Sequence, residues 1–565
     1  MRLIKTKKLV DDDTISFEVF TGSNIPPYVT LSHTWEKGQE VSYANSKSKA
    51  ARTKKGYKKI KKTCEFARKQ RPPIEYVWVD TCCIDKSSSA ELTEAINSMF
   101  KWYAQAKYCF VYLCDLEKPQ GPRPVDSLAL GKCRWFHRGW TLQELIAPAA
   151  VYFYSRAWDF IGSKQQLSSQ ISAVTGIEVA VLDQRVPLSA ILVAKRMSWA
   201  ANRKTTREED IAYCLLGIFD INIPIIYGEG HKAFKRLQEE LIRSTYDLSI
   251  FAWTPMEDDR NNMYCGFLAD SPDAFVLCSN LVPVDMFWEV RGELVATNTS
   301  LQLKAPNYEM KYNGKHQYFL RLNCCYQDDE KDEKCLAVPM RKIYSQTYLR
   351  ARVLPLSTES TTFGLMTCPL DEMGPQTLVL LTSLTQSLGH RSLNMDQSQD
   401  ITALTRFAAV QFESHPEFPS WDGQSLEGFP RKSWDVQDHL FFSPRGSSSN
   451  WGAVSLGEMG ITSAIFFCYW YKQSTGWDCK GTLIGIDDNH NWMDVWRELF
   501  ITAQEFDYRA DYVLHQLRHY EVDMEKRSTR IRRQSGTAHV FFTIQKSNGR
   551  GICNEHFWKV TIGIK

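Results

Sequence analysis

PYVTLSHTW, running from Pro27 to Trp35, is the stretch on which the fold turns. It is an apolar strand that ends in polar groups, and the chain after it keeps alternating helix and strand. A helix is expected over about Lys54 to Gln70, with Tyr57, Ile60, Cys64 and Ala67 on one face. EYVWVDTCCID, Glu75 to Asp85, reads as a second buried strand. Ser88-x-x-Glu91 has the spacing of a capping box, and Leu92, Ile96, Met99 and Tyr103 stripe the helix behind it. YCFVYLCDL, Tyr108 to Leu116, is a third strand, and VYFYS, Val151 to Ser155, is a fourth. The loop KPQGPRPVD and a short helix in WTLQELIA lie between them. Such alternation predicts an α/β domain at residues 1–160 with a doubly wound parallel sheet, helices on both faces and ligands beyond the C-terminal strand ends.

Residues 161–255 read as a helical extension. Thr206-x-x-Glu209 is spaced as another capping box, and GEGHKAFKRLQEELI carries an amphipathic pattern through Phe234, Leu237 and Leu241. From 256 to 565 the character changes. Short runs such as YFLRLNCCY, TYLRARVL, TLVLLTSL, TSAIFFCYWY, TLIGID, HVFFTIQ and FWKVTIGI alternate with turn-rich stretches. This predicts a β-rich C-terminal region, sandwich-like, as one or two subdomains. SPRGSSSN and EKRSTRIRRQSG read as mobile loops within it.

Composition narrows the functional classes. The chain has 565 residues, 43% of them hydrophobic and 24% charged, with a formal net charge of +3. That balance gives no reason to invoke nucleic acid or an anionic membrane. The start MRLIKTKKLVDDD lacks an apolar core for a secretory signal, and runs such as AIFFCYWY are too short to span a bilayer. Sixteen cysteines without a CxxC pair point to free thiols in a reducing, cytoplasmic setting. No Cys/His cluster has zinc spacing, so no metal is expected; His515 and His519 in HQLRH read as helix-surface histidines. Gly228-Glu229-Gly230 lacks the further glycine and lysine of a phosphate-binding loop, which disfavours an ATPase. KSKAARTKKGYKKIKKTCEFARKQR carries twelve Lys/Arg and one acid, yet its bases surround an amphipathic stripe, the pattern of a solvated helix face.

Three polar clusters close elements of the N-terminal sheet. Ser32, His33 and Trp35 end the first strand; Asp80, Cys82, Cys83 and Asp85 end the second; Arg138, Trp140 and Glu144 follow the third. In RGWTLQELIAP, Arg138 to Pro148, Leu142, Leu145 and Ile146 make one helix face, while Trp140 and Glu144 are i, i+4 neighbours on the other. In a doubly wound sheet all three clusters meet at one edge, as a pocket requires. Plainer roles compete: Asp80 as a loop cap, Cys82 and Cys83 as small core residues, Trp140 packed on the extension, Glu144 paired with Arg138 or Arg134. A thiol–imidazole pair of His33 with Cys82 or Cys83 is a further alternative.

LSHTW, YVWVDTCCIDKSSSAELTEAINSMFKWY and RGWTLQELIAP resemble the three signature blocks of the fungal HET (heterokaryon incompatibility) domain. RMSWAANRKTTREEDIAYCLLGIFDINIPIIYGEGHKAFKRLQEELI and SIFAW resemble the segment that follows that domain in many members. The likeness covers roughly residues 1 to 255. The remainder looks like the β-rich tails of stand-alone members, without NACHT or WD-repeat parts. The resemblance implies a role in vegetative incompatibility, ending in regulated death of the fused cell, with an unknown nonself-recognition partner. It also implies a remote kinship with TIR domains, whose W-C-x-x-E-L pattern WTLQEL matches with Thr141 in place of Cys. Carried over by position, Glu144 is the residue that would cleave NAD+, as substrate, at the nicotinamide–ribose bond. Ser32, His33, Trp35, Asp80, Cys83, Asp85, Arg138 and Trp140 would bind that substrate, and no cofactor is needed. Nicotinamide leaves as a neutral molecule, so a carboxylate that stabilises an oxocarbenium ion, with an aromatic ring to stack, would suffice. Two other readings stand beside the enzyme: a non-enzymatic death-inducing scaffold acting by self-association, and a thiol hydrolase using Cys82 or Cys83.

Overall fold

Seven strands organise the N-terminal part of the computed structural model: β1 (Arg2–Lys5), β2 (Phe17–Val19), β3 (Tyr28–His33), β4 (Tyr76–Trp78), β5 (Tyr108–Tyr112), β6 (Val151–Tyr154) and β7 (Phe160–Ser163). Their order is β2-β1-β4-β3-β5-β6-β7. The structure describes residues 1–255 except 23 and 118–124, then 264–284. From 294 onward it describes the β-strands, together with 297, 322–323 and 327. His515 and His519, most of KPQGPRPVD and the centre of SPRGSSSN lie outside the described residues.

The four central strands β4, β3, β5 and β6 are parallel. All six residues of β3 are buried, as suits a strand covered on both faces. The sheet is nevertheless mixed, because β1, β2 and β7 run antiparallel at its two edges. The link from β6 to β7 is only Ser155 to Asp159, too short for the crossover that a parallel pair needs. The chain leaves β3 for β4 on one side and then crosses from β4 to β5 on the other side of β3, so the strand order reverses there. A crevice opens at such a point beyond the carboxyl strand ends.

The expected helices form. After α1 (Thr6–Asp11), α2 (Lys55–Arg68) buries Tyr57, Ile60, Cys64 and Ala67. Its basic residues are largely neutralised from nearby: Lys61 pairs with Asp13, Arg68 with Asp11, Lys55 with Glu36 and Lys59 with Glu40. After α3 (Asp80–Cys83), α4 (Ser89–Gln105) is capped by Ser88, whose hydroxyl accepts from the Glu91 amide. Glu91 does not return the bond to Ser88; it accepts from the Asp85 amide and from Arg2. After α5 (Ser127–Gly131) come α6 (Thr141–Ile146), α7 (Ser168–Thr175), α8 (Val179–Leu182) and α9 (Val193–Ser198). The series closes with α10 (Asp210–Tyr213), α11 (Leu216–Phe219) and α12 (Lys232–Ser244). The second expected capping box does not form. Glu209 instead accepts from the amides of Gly228 and Gly230, both at positive φ, and so holds the GEG turn.

Contacts divide the chain into two units. One is Met1–Met256 with Leu268–Met286 and Leu322–Cys335; the other is Glu257–Phe267, Phe287–Arg321 and Leu336–Lys565. Within the first, the 3-10 segment Pro272–Asn280 packs on α9, and Leu281–Pro283 pairs antiparallel with Cys324–Tyr326. The second is β-rich, with eight-, six- and four-stranded sheets. Its strands include Ala464–Gln473, Gly476–Gly485, Gly536–Ser547 and His556–Ile564, where the apolar runs lie. EKRSTRIRRQSG departs from expectation: Ser528–Arg533 is a strand at the edge of its sheet, paired with Gly536–Ser547. Among the described residues no helix is long and apolar enough to cross a membrane.

Candidate functional site

The helix in RGWTLQELIAP is short and held at both ends. Thr141 donates its hydroxyl to the carbonyls of Trp135 and Arg138, which fixes the entry to α6. The buried Lys164 ammonium donates to the carbonyls of Leu145 and Pro148, at 3.3 and 2.6 Å, and so serves the exit, where a cation complements the helix dipole. All six residues of α6 are buried. Leu142 and Leu145 face the core, and Glu144, on the other side, lines a cavity of about 250 Å³.

Glu144 is the best-supported group in that cavity. The Trp135 indole donates to Ser32 Oγ at 2.7 Å, so the Ser32 hydroxyl is committed to donating to Glu144 Oε2. The Tyr103 hydroxyl is a second partner. Glu144 is only 6% exposed. Burial, then the nearby Asp80 charge, push its carboxyl up to about 8, against the opposing hydrogen bonds of Ser32 and Tyr103 and the charge of Arg138.

Around Glu144 the cavity has three kinds of wall. Ile84, Leu92, Ile96 and Met99 make it apolar on the side of α4. His33, Trp35, Asp80 and Lys86 close the ends of β3 and β4; Trp35 Nε1 donates to Asp80 Oδ2 at 3.1 Å, and the Lys86 ammonium lies 3.6 Å over the Trp35 ring. Thr206, Arg207, Asp210 and Tyr227 come from the helical extension. The Tyr227 hydroxyl donates to Asp210 Oδ1 at 3.0 Å, Trp140 also hydrogen-bonds Asp210, and the Arg207 guanidinium lies 4.0 Å over the Tyr227 ring. Burial raises the Asp210 carboxyl, opposed by those two hydrogen bonds and by Arg207.

His33 is braced from behind. Its Nε2 lies 3.2 Å from Glu40 Oε2, and Glu40 Oε1 accepts from Lys59 at 2.8 Å and from the Glu36 amide at 3.0 Å. Burial pushes the Glu40 carboxyl up, but His33 and Lys59 hold it down at about 2. With Glu40 a fixed anion, Nε2 carries the proton of His33.

His33, Trp35, Asp80, Arg138, Trp140 and Glu144 therefore meet in one cavity. Ser32, Cys83 and Asp85 do not line it. Ser32 is fully buried and orients Glu144. The Cys83 sulfur accepts from the Val79 amide at 3.3 Å within the turn of α3, and Asp85 accepts from the amide and hydroxyl of Ser87 in the loop before α4. The Cys82 thiol is buried and pushed well above its usual value by Cys83 and burial, and Cys83 is itself buried, so neither sulfur is presented to the cavity. His33 faces Glu40 and not a thiol. Arg138 donates to Thr206 Oγ1 at 3.3 Å and takes its carbonyl to Arg203. Among the described residues no His, Cys, Asp and Glu cluster could hold a metal ion. Lys86, Thr206, Arg207, Asp210 and Tyr227 escaped the sequence reading; their only signal was proximity to the recognised blocks, CIDK and TTREED.

The α/β sheet thus presents a buried carboxyl, aromatic rings and cations around one cavity at its strand ends. Residues 28–130 match the family model described as heterokaryon incompatibility protein (HET), and residues 232–264 match a domain of unknown function, DUF8212. The chain is 47% identical over 255 residues to vegetative incompatibility protein HET-E-1 of Podospora anserina, a stretch that is 44% of this chain and 19% of that protein. The chain thus spans about a fifth of the length of that curated relative. The N-terminal unit thus carries a HET domain.

Proposed function

We propose that this protein is an effector of heterokaryon incompatibility whose cavity hydrolyses NAD+ at the nicotinamide–ribose bond. The observation that carries the reading is Glu144: a buried carboxyl at the inner end of the cavity, oriented by Ser32 and by Tyr103. The strand order and the position of WTLQEL after the third parallel strand support a TIR-like assignment of the domain. The HET domain and the name of the relative support the role in incompatibility.

The chemistry suits the groups present. As the C1′–N1 bond breaks, its electron pair stays with nicotinamide, which leaves neutral, and positive charge spreads over C1′ and the ring oxygen. A carboxylate beside that centre stabilises the charge more in the transition state than in the substrate. Water then adds to C1′ and releases one proton, giving ADP-ribose. The empty cavity holds Glu144 largely protonated near neutrality. The pyridinium of bound NAD+ brings a positive charge that favours its ionised form. Trp140, Trp35 and Tyr227 offer faces on which nicotinamide or adenine can stack.

The test is release of nicotinamide from NAD+ by the purified full-length chain, followed by chromatography. Wild type should release it, and Glu144→Gln should lower the rate on the order of a hundredfold or more. In fungal cells, NAD+ should fall as wild type kills. Death at constant NAD+ would overturn the hydrolase and leave the self-associating scaffold.

A further inference from the structure

Two side-chain groupings at the cavity have the same construction. In one, the Lys86 ammonium lies over the ring of Trp35, whose N–H is given to Asp80. In the other, the Arg207 guanidinium lies over the ring of Tyr227, whose O–H is given to Asp210. The first comes from the ends of β3 and β4, the second from the helical extension. Each carboxylate is turned to a ring donor, and among the described residues neither Lys86 nor Arg207 forms a salt bridge. Both cations are exposed, line the same cavity and rest against π faces, contacts that are weak at exposed sites. They can therefore turn to an anion without breaking an ion pair. Arg138, tied to Thr206, adds a third positive charge to the same cavity.

We propose that Lys86 and Arg207 form a two-sided clamp for a diphosphate, so that the ligand is a dinucleotide-type molecule held jointly by the HET domain and its helical extension. This rests on the reading of the cavity as the NAD+ site and names what binds the part of the substrate remote from Glu144. The cavity, at about 250 Å³, lies near the lower end of ligand-site volumes, ~300–1,000 Å³. A nucleoside-sized group fills it, and the diphosphate then falls where the exposed cations stand. Guanidinium and ammonium groups serve this purpose differently: Arg207 can bind two phosphate oxygens at once, whereas Lys86 acts as a point charge.

The test uses the full-length chain carrying Glu144→Gln, so that no ligand is consumed, and calorimetric titration with ADP-ribose, with inorganic pyrophosphate as competitor. Lys86→Met and Arg207→Met, added singly, should each weaken ADP-ribose binding about tenfold, the loss of one charged hydrogen-bond donor. Pyrophosphate should displace ADP-ribose from the Glu144→Gln protein, and Arg207→Lys should recover part of the affinity. Melting temperatures of the variants control for folding. Absent ADP-ribose binding, or unchanged affinity in a folded Lys86→Met or Arg207→Met protein, overturns the clamp. The two ideas fail separately: wild type that releases no nicotinamide while the clamp variants lose ADP-ribose refutes the hydrolase and keeps the diphosphate site.

Discussion

Glu144 shows at the scale of one residue how environment assigns a role. On a helix drawn from sequence it lies opposite the apolar face and looks solvent-directed. In the fold that opposite face is buried as well, against Ser32, Tyr103 and the cavity. Its carboxyl, raised to about 8, is brought close to neutrality. The folded state keeps the proton from the ordinary carboxylate value near 4.5 up to about 8, while the unfolded state loses it. Stability from this group is therefore greatest below pH 4.5 and declines as pH rises through that window. Glu144→Gln removes the effect and keeps the shape. We expect the variant to gain in melting temperature over wild type as pH goes from 6 to 9, by an amount worth up to a few kcal/mol. Thermal melts across that range measure it; a constant difference would mean that Glu144 does not titrate there. For wild type, kcat/KM on NAD+ should climb as pH approaches 8, because the ionised free enzyme is the competent form.

The element that matters most is the turn from the 3-10 segment Arg134–His137 into α6. Gly139 sits between Arg138 and Trp140, and its amide donates to the Lys204 carbonyl at 3.1 Å, while Lys204 returns its amide to His137 at 2.7 Å. This small ladder fastens the site-bearing turn to the extension. A Cβ at Gly139 would come within 2.6 Å of Thr205 Cγ2 and 3.1 Å of the Cys214 sulfur. Gly139→Ala must therefore displace the Thr205 side chain or shift the turn itself. We expect a loss of about 1–3 kcal/mol, typical of overpacking, and a weaker ADP-ribose affinity because Arg138 and Trp140 move with the turn. Denaturant unfolding and calorimetry together check this. Unchanged values for both would show that the extension yields without disturbing the site.

For the whole molecule, the first unit does not end where the helices end. Segments at 268–286 and 322–335 belong to it. The Gln238 amide, fully buried on α12, exchanges two hydrogen bonds with Ala269, at 2.8 and 2.9 Å. Thr254 donates its amide to Ala274, and the Asn202 amide donates to Asp273. A fragment of residues 1–255 loses these partners and leaves Gln238 with only its bond to the Phe234 carbonyl, at about 1–3 kcal/mol for a side chain so deprived. It should melt below a fragment of residues 1–286, which retains them. Equal melting of the two would mean that the later segments only lie on the unit without supporting it.

Much of this was legible in local pattern. The strands at 28–33, 76–78, 108–112 and 151–154 and the helices at 55–68 and 89–105 follow from period and capping, because their apolar residues repeat at intervals that only one backbone conformation satisfies. The meeting of Trp35, Asp80, Trp140 and Glu144 followed too, since a doubly wound sheet sends successive strand ends to one edge. The antiparallel edges were not legible, for β1, β2 and β7 are too short to carry a period of their own. Nor were the burial of Glu144, the withdrawal of Cys83 and Asp85 from the cavity, or the wall of Arg207, Asp210 and Tyr227. Sequence determined which elements exist and which strand ends converge, because those depend on neighbours a few residues apart. Tertiary structure alone decided which polar groups lost water and which gained partners, because both depend on atoms brought together from separate elements, as Arg138 and Thr206 are.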